Sequence, residues 1–355
     1  MIPHNKPSLG IDESMAIEEV ISSGWISNGK KVNEFEDKVS NYIGLSNNTG
    51  VAVSSGTSAL YLALKILNVG GGEVICPTYV CSALLNAIDM VGAIPVITDI
   101  NSSDLNFSVT QIKNKISKKT RAIIVPHIFG FPADIVSMKD NFDIPIIEDC
   151  ATTLGSKINN KHLGTFGDLT VFSFYATKVI TTGHGGMIVS NNSEHVDKLR
   201  DFINYDGRKD YHFRFNFQMS DIQATMGLTQ LKKLENLLRN RKKIADSYIN
   251  ICEQNGWDYQ NSSDHKFLPN WYRFVLKSKP DFIIKLKNYL ESNGVHATIP
   301  IENWELLHNY LKLNKDSYEI AESLSRKTLS LPIYPDLINE GNLDIILNLL
   351  NNFNT

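Results

Sequence analysis

The chain has 355 residues, 42% hydrophobic and 21% charged, the make-up of an ordinary globular protein with room for a large core and a second, smaller unit. A formal net charge of −3 gives no electrostatic reason to expect nucleic acid or an anionic membrane as partner. Cys76, Cys81, Cys150 and Cys252 lack the paired spacing of a zinc site and read as reduced thiols. With no leader-like apolar stretch and no run of 18 apolar residues, the expectation is a cytoplasmic protein with no membrane span.

In chain order, residues 13–22 predict a short amphipathic helix. The turn Gly24-Trp25-Ile26-Ser27-Asn28-Gly29 then displays a tryptophan, either a plug over the core or a wall of a ligand site. A second helix is predicted over 32–43. From Val51 the pattern becomes regular: strands at 51–54, 74–76, 95–97, 121–125 and 145–148, with helices at 58–67 and 81–91. Short apolar strands alternating with longer helical segments indicate βαβ units and a mostly parallel, buried sheet. Ligands of such sheets sit beyond the carboxyl ends of strands.

Three strand ends carry chemistry. Ser55-Gly56-Thr57 opens a helix and reads either as a plain N-cap or as a phosphate cup of N–H groups and a hydroxyl. Asp149 ends a strand, as a helix cap, a surface acid or the partner of a protonated ring nitrogen. Lys178 follows the run 169–174, with Ser173 as a further hydroxyl donor. The glycines of Gly183-His184-Gly185-Gly186 would let backbone pass close to a flat ligand. A lone lysine is ordinarily a solvated surface group. Phosphate donors, an acid for a ring nitrogen and an imine-forming lysine, in this order on a parallel sheet, together describe a pyridoxal phosphate site.

The last third says less. Residues 221–238 predict a helix with Lys232 and Lys233 on its polar face. Arg239, Arg241, Lys242 and Lys243 read as a solvated helix face or, more sharply, as a docking surface for a diphosphate, with Arg208-Lys209 as a second candidate. From about Asp246 the pattern is that of a small α/β domain, with a strand at 272–276 and a helix at 281–292. The expected division is 1–240, a cofactor-binding large domain with an N-terminal arm, and 241–355, a small C-terminal domain.

These residues, with Ser54-Ser55-Gly56-Thr57, His127-Ile128-Phe129-Gly130, Glu148-Asp149-Cys150-Ala151, Thr177-Lys178, Asn216-Phe217 and Ser220-Asp221-Ile222-Gln223, resemble the DegT–StrS family of sugar aminotransferases over nearly the whole chain. That family is a branch of the fold type I pyridoxal phosphate enzymes. The resemblance implies an α/β fold: a large domain with a mostly parallel, seven-stranded-type sheet flanked by helices, plus the small domain. It implies pyridoxal 5'-phosphate held as a covalent aldimine on Lys178, with Asp149 on the pyridine nitrogen and Ser55, Gly56, Thr57 and Ser173 at the phosphate. Asn216, otherwise a turn residue, would reach the phosphate from the neighbouring subunit of a homodimer with a shared active site. Trp25, Ser27, His184 and Arg208 are candidate substrate contacts. A related dehydratase branch carries histidine where this chain keeps Lys178, which favours amino transfer.

The sequence departs from the family pattern at four places. Cys81 stands where a large aromatic usually stacks on the ring, with Tyr79 nearby as an alternative cover. Thr152 stands where a glutamine or histidine contacts the ring hydroxyl, Gln218 where an arginine is common, and His184 where an acid is common. The implied activity is transfer of an amino group from glutamate to a keto sugar of the nucleotide-linked kind, in surface polysaccharide or secondary-metabolite sugar biosynthesis. The rival readings are another reaction of the same cofactor on a cyclitol or non-sugar ketone, and a regulatory homologue with no catalytic activity.

Overall fold

The computed structural model describes residues 1–262, 264 and 266–353. Its strands are β1 (Gly50–Val53), β2 (Glu73–Pro77), β3 (Ile94–Thr98), β4 (Thr120–Pro126), β5 (Ile146–Asp149), β6 (Lys157–Ile158), β7 (Lys161–His162), β8 (Leu169–Ser173), β9 (Gly186–Val189), β10 (Asp258–Tyr259), β11 (Phe267–Leu268), β12 (Phe274–Lys277) and β13 (Thr328–Leu331). Seven form the central sheet in the order β1-β9-β8-β5-β4-β2-β3. Its β2–β3, β2–β4, β4–β5 and β5–β8 pairs are parallel, and β9 alone runs against its neighbours β1 and β8. Every residue of β1, β5 and β9 is buried, which is why β1 and β9 read as continuous apolar runs instead of alternating ones.

The apolar residues fall into two clusters. One surrounds the sheet, with Leu62, Ile124, Ile147 and Phe172 at its centre. The other gathers Ile244, Tyr248, Phe274, Leu286 and Leu329 around the three-stranded sheet β10-β12-β13. The late chain feeds both, because Leu306, Leu307 and Tyr318 pack in the first cluster. Ile2 joins the second and bridges to Val295, so the amino terminus lies against the C-terminal part.

The helix expected at 221–238 runs to Asn255. Ser220 and Gln223 form a capping box at its start, and Gly256, at φ 65°, ends it in the left-handed conformation. Its apolar stripe continues past residue 240 through Ile244, Tyr248 and Ile251, so nothing stops the helix there. This corrects the reading of the basic run. Arg239, Lys242 and Lys243 are exposed, but Arg241 lies on the buried stripe, 1% exposed, with Nη1 donating to the Ile333 carbonyl at 3.0 Å and the Tyr272 carbonyl at 3.3 Å. Arg241 is neither solvated nor free to dock a ligand.

Candidate active site

The carboxyl ends of β4, β5 and β8 lie side by side, and the buried pair His127–Glu148 fixes them. His127 Nδ1 accepts the Ala133 N–H at 2.9 Å, so the ring proton sits on Nε2 and is donated to Glu148 Oε1 at 3.2 Å. Glu148 also accepts N–H groups from Gly164 (2.6 Å), Phe166 (2.9 Å) and Gly167 (2.9 Å). Burial alone would raise this carboxyl. The hydrogen bonds from His127 and from the backbone N–H groups outweigh it and hold it below the usual range. Successive strand side chains point to opposite faces, so pinning Glu148 aims Asp149 the other way.

Asp149 points into a cavity of about 270 Å³ whose walls include Cys81, Thr152, Lys178, Tyr272 and Arg273. Its carboxylate accepts one N–H, from Ala151 at 2.9 Å, and burial pushes its pKa above the ordinary range against that hydrogen bond and the pull of Lys178. Lys178 comes from a pinned turn: its N–H donates to Tyr175 O at 2.9 Å, and Asn5 Nδ2 holds the Thr177 carbonyl at 2.8 Å. The amine lies 5.3 Å from the centre of the Tyr272 ring.

Ser55 caps the helix Gly56–Ile66, its Oγ accepting the Ser58 N–H at 3.0 Å, so this hydroxyl serves the helix, as the ordinary reading had it. The Gly56 and Thr57 N–H groups beyond it point out of the helix end with no acceptor among the described residues. Ser173 lies against them: a Cβ on Gly56 would stand 2.9 Å from Ser173 Cβ.

A family model, the DegT/DnrJ/EryC1/StrS aminotransferase family, matches residues 7–349. The chain belongs to that family. It is 32% identical to the GDP-perosamine synthase of Vibrio cholerae, with 100% of each chain covered. It is 34% identical to the GDP-perosamine synthase of Escherichia coli, over 96% of this chain and 95% of that one. Among solved structures it superposes on Spr1654 from Streptococcus pneumoniae in its PLP-form with a TM-score of 0.91, at 25% identity, covering 98% of this chain and 97% of that one. The protein is therefore a pyridoxal phosphate-dependent aminotransferase with the type I fold.

The residues present fit that cofactor. A helix end with unpaired N–H groups next to two hydroxyls suits a phosphate, and a Cβ at Gly56 would collide with Ser173, which supplies one of those hydroxyls. A buried carboxylate with a single N–H partner suits a ring cation.

The other expected residues lie as follows. Thr152 lines the cavity and donates its hydroxyl proton to the His127 carbonyl at 2.9 Å, leaving its lone pairs free to accept. Cys81 lines it too and, although the residue is exposed, the cavity wall against its thiol and then the Asp149 carboxylate push that thiol up. Tyr79 does not cover the site: it is buried, with its hydroxyl 3.1 Å from Thr328 Oγ1. Asn216 is exposed, outside the cavity.

Trp25 is 63% exposed and lines a separate cavity of about 530 Å³ with Glu19, Lys31 and Asp221, so within one chain it is neither a core plug nor a neighbour of Lys178. Ser27 and His184 are exposed, and both are tied through their carbonyls to the start of the helix Asp221–Asn255, by the Asp221 N–H at 2.8 Å and by Gln223 Nε2 at 2.7 Å. Arg208 is exposed and pairs with Asp201 at 3.4 Å. Gly186 is needed because β9 presses on the backbone of Ser55 and Gly56. Sequence reasoning missed Tyr272, Arg273, Phe129, Glu305 and Tyr310, which complete the cavity wall. The aromatic pair in Trp271-Tyr272-Arg273 was the available signal.

Proposed function

We propose that this aminotransferase makes an amino sugar from a nucleotide-linked keto sugar, with glutamate as amino donor, in surface polysaccharide or secondary-metabolite sugar biosynthesis. The observation that carries the reading is one cavity holding the Lys178 amine and the buried Asp149 carboxylate. The GDP-perosamine synthases among its relatives support a GDP-linked sugar as the first substrate to try.

Bound pyridoxal phosphate supplies an electron sink next to the reacting carbon. Asp149 holds the ring nitrogen in its protonated form by charge. The Gly56 and Thr57 N–H groups, with the Thr57 and Ser173 hydroxyls, orient the phosphate. Thr152 and Cys81, which line the cavity, would border the ring. Lys178 Nζ anchors the cofactor at rest, then carries the proton at the substrate carbon that loses or gains nitrogen. The Tyr272 ring, 5.3 Å away, limits where that amine can swing.

The active unit is a homodimer in which Asn216 of one copy reaches the phosphate bound by the other. This reading is supported by the exposure of Asn216 and by the uncovered aromatics near it in sequence, Tyr211 at 94% and Phe213 at 68%. We place the reaction in the cytoplasm, in keeping with four free cysteines.

The test is incubation with heavy-nitrogen-labelled glutamate and a panel of nucleotide keto sugars, cyclitols and simple ketones. Label in an amino sugar nucleotide, with parallel lines in two-substrate initial-rate plots, is expected. Label confined to a cyclitol or a simple ketone would contradict the sugar assignment, and intersecting lines would contradict the two-stage transfer.

A further inference from the structure

Arg273 lines the same cavity as Lys178 and Asp149, and its guanidinium makes no hydrogen bond or ion pair with any described residue. Nη1 is closed off from solvent with no acceptor. Only the backbone N–H of Arg273 is engaged, by the Phe129 carbonyl at 3.1 Å. Two aromatic rings hold the side chain in place: its guanidinium carbon lies 5.3 Å from the centre of Phe129 and 6.0 Å from that of Tyr272. Arg241 is the contrast. It is fully buried where Arg273 is half-buried, and three carbonyls take up its Nη1, although its Nε has no acceptor. A half-buried cation with a closed-off, unpaired donor and no counter-charge is costly unless a ligand supplies the anion.

The surroundings leave that charge uncompensated. Of the two carboxylates in the cavity wall, Asp149 accepts the Ala151 N–H and Glu305 accepts the Glu302 N–H at 2.8 Å, and neither pairs with Arg273. Burial, then the Arg273 charge, push the nearby His4 imidazole down to about 3, so His4 stays neutral. Burial would raise the Tyr272 phenol, but Lys178 and then Arg273 outweigh it and lower it.

We propose that Arg273 binds a carboxylate of the amino-acid donor, so that one small molecule meets Lys178 and Arg273 across the Tyr272 ring. Both cations lie within 6.0 Å of that ring's centre. The planar guanidinium fork matches a two-oxygen planar anion. Rings on its face and a closed-off Nη1 leave edge-on approach to a small anion, whereas a sugar diphosphate must lead out to bulk solvent. The assignment rests on the aminotransferase reading above and names the side chain that selects its donor.

The test separates the two halves of the reaction in the cofactor-loaded enzyme, for wild type, Arg273→Gln and Arg273→Lys. Arg273→Gln is expected to raise the glutamate concentration for half-maximal rate in the donor half roughly 10- to 100-fold, with the keto-sugar half unchanged. Arg273→Lys keeps the charge without the fork and is expected to fall between. Glutarate, titrated into the resting enzyme and followed by the visible band, is expected to bind wild type and to weaken by a similar factor in Arg273→Gln. Equal losses in both halves, or a loss confined to the keto-sugar half, would overturn the proposal; the latter would give Arg273 to the diphosphate. A wild type that reacts normally with glutamate alongside an unaffected Arg273→Gln would overturn the assignment of Arg273 alone. A wild type inert to glutamate but active with an uncharged amine would overturn the donor reading as well.

Discussion

Asp149 ends β5 with a single N–H on its carboxylate, inside a cavity that resists its charge. Its raised pKa has a consequence for stability. The folded chain holds this proton more tightly than the unfolded chain, so stability falls as pH rises from the ordinary carboxylate range through the raised value. Asp149→Asn removes the buried charge. The cofactor-free variant is expected to melt higher than cofactor-free wild type at neutral pH, with the gap closing on acidification. Thermal scans across pH check this, and a lower melting point at neutral pH would contradict it. The same variant should lose most turnover, since the ring nitrogen then lacks its anion. Lys178→Ala and Lys178→Arg should abolish turnover in steady-state assays while the fold, read by circular dichroism, stays intact; near-normal activity in either would remove Lys178 from the chemistry. Both residues were legible because Asp149 ends a strand and Lys178 stands in the turn that follows one. Tyr272 and Arg273 were not: they come from a distant stretch that reads as the start of a strand, and only folding brings Tyr272 to 5.3 Å from the Lys178 amine.

Above single residues, the site depends on how its elements are tied together. Glu148 draws three backbone N–H groups and His127 onto the end of β5, leaving Asp149 one direction to point. Glu148→Ala leaves those donors buried without an acceptor and should cost about 3 kcal/mol or more in a denaturant titration; a loss under about 0.5 kcal/mol would contradict the role given to it. The parallel sheet was legible from buried apolar runs separated by helices, but its strand order was not, because pairing partners are set by long-range packing. Residue spacing could have corrected Arg241. It lies four residues after Leu237 and three before Ile244 on one buried stripe, and charge composition alone hides that. Trp25 shows the opposite limit: its display was legible, but not what it faces.

At the scale of the whole molecule, the phosphate cup and Asn216 both lie outside the cavity within one chain. No helix among the described residues is long and apolar enough to cross a membrane. The proposed sharing of the active site between two copies makes a sharp prediction. Lys178→Ala and Asn216→Asp homodimers should each be nearly inactive. Subunits mixed, unfolded and reassembled should regain about a quarter of wild-type activity, because half the dimers then carry one intact site. No recovery on mixing would mean that each chain builds its site alone. The most direct measurement is borohydride reduction of the cofactor-loaded protein followed by peptide mapping by mass spectrometry. The expected result is a pyridoxyl group on the peptide carrying Lys178, with loss of the visible band on prior treatment with glutamate. A label on another lysine, or no label after reconstitution with pyridoxal phosphate, would contradict the site built here around Lys178 and Asp149.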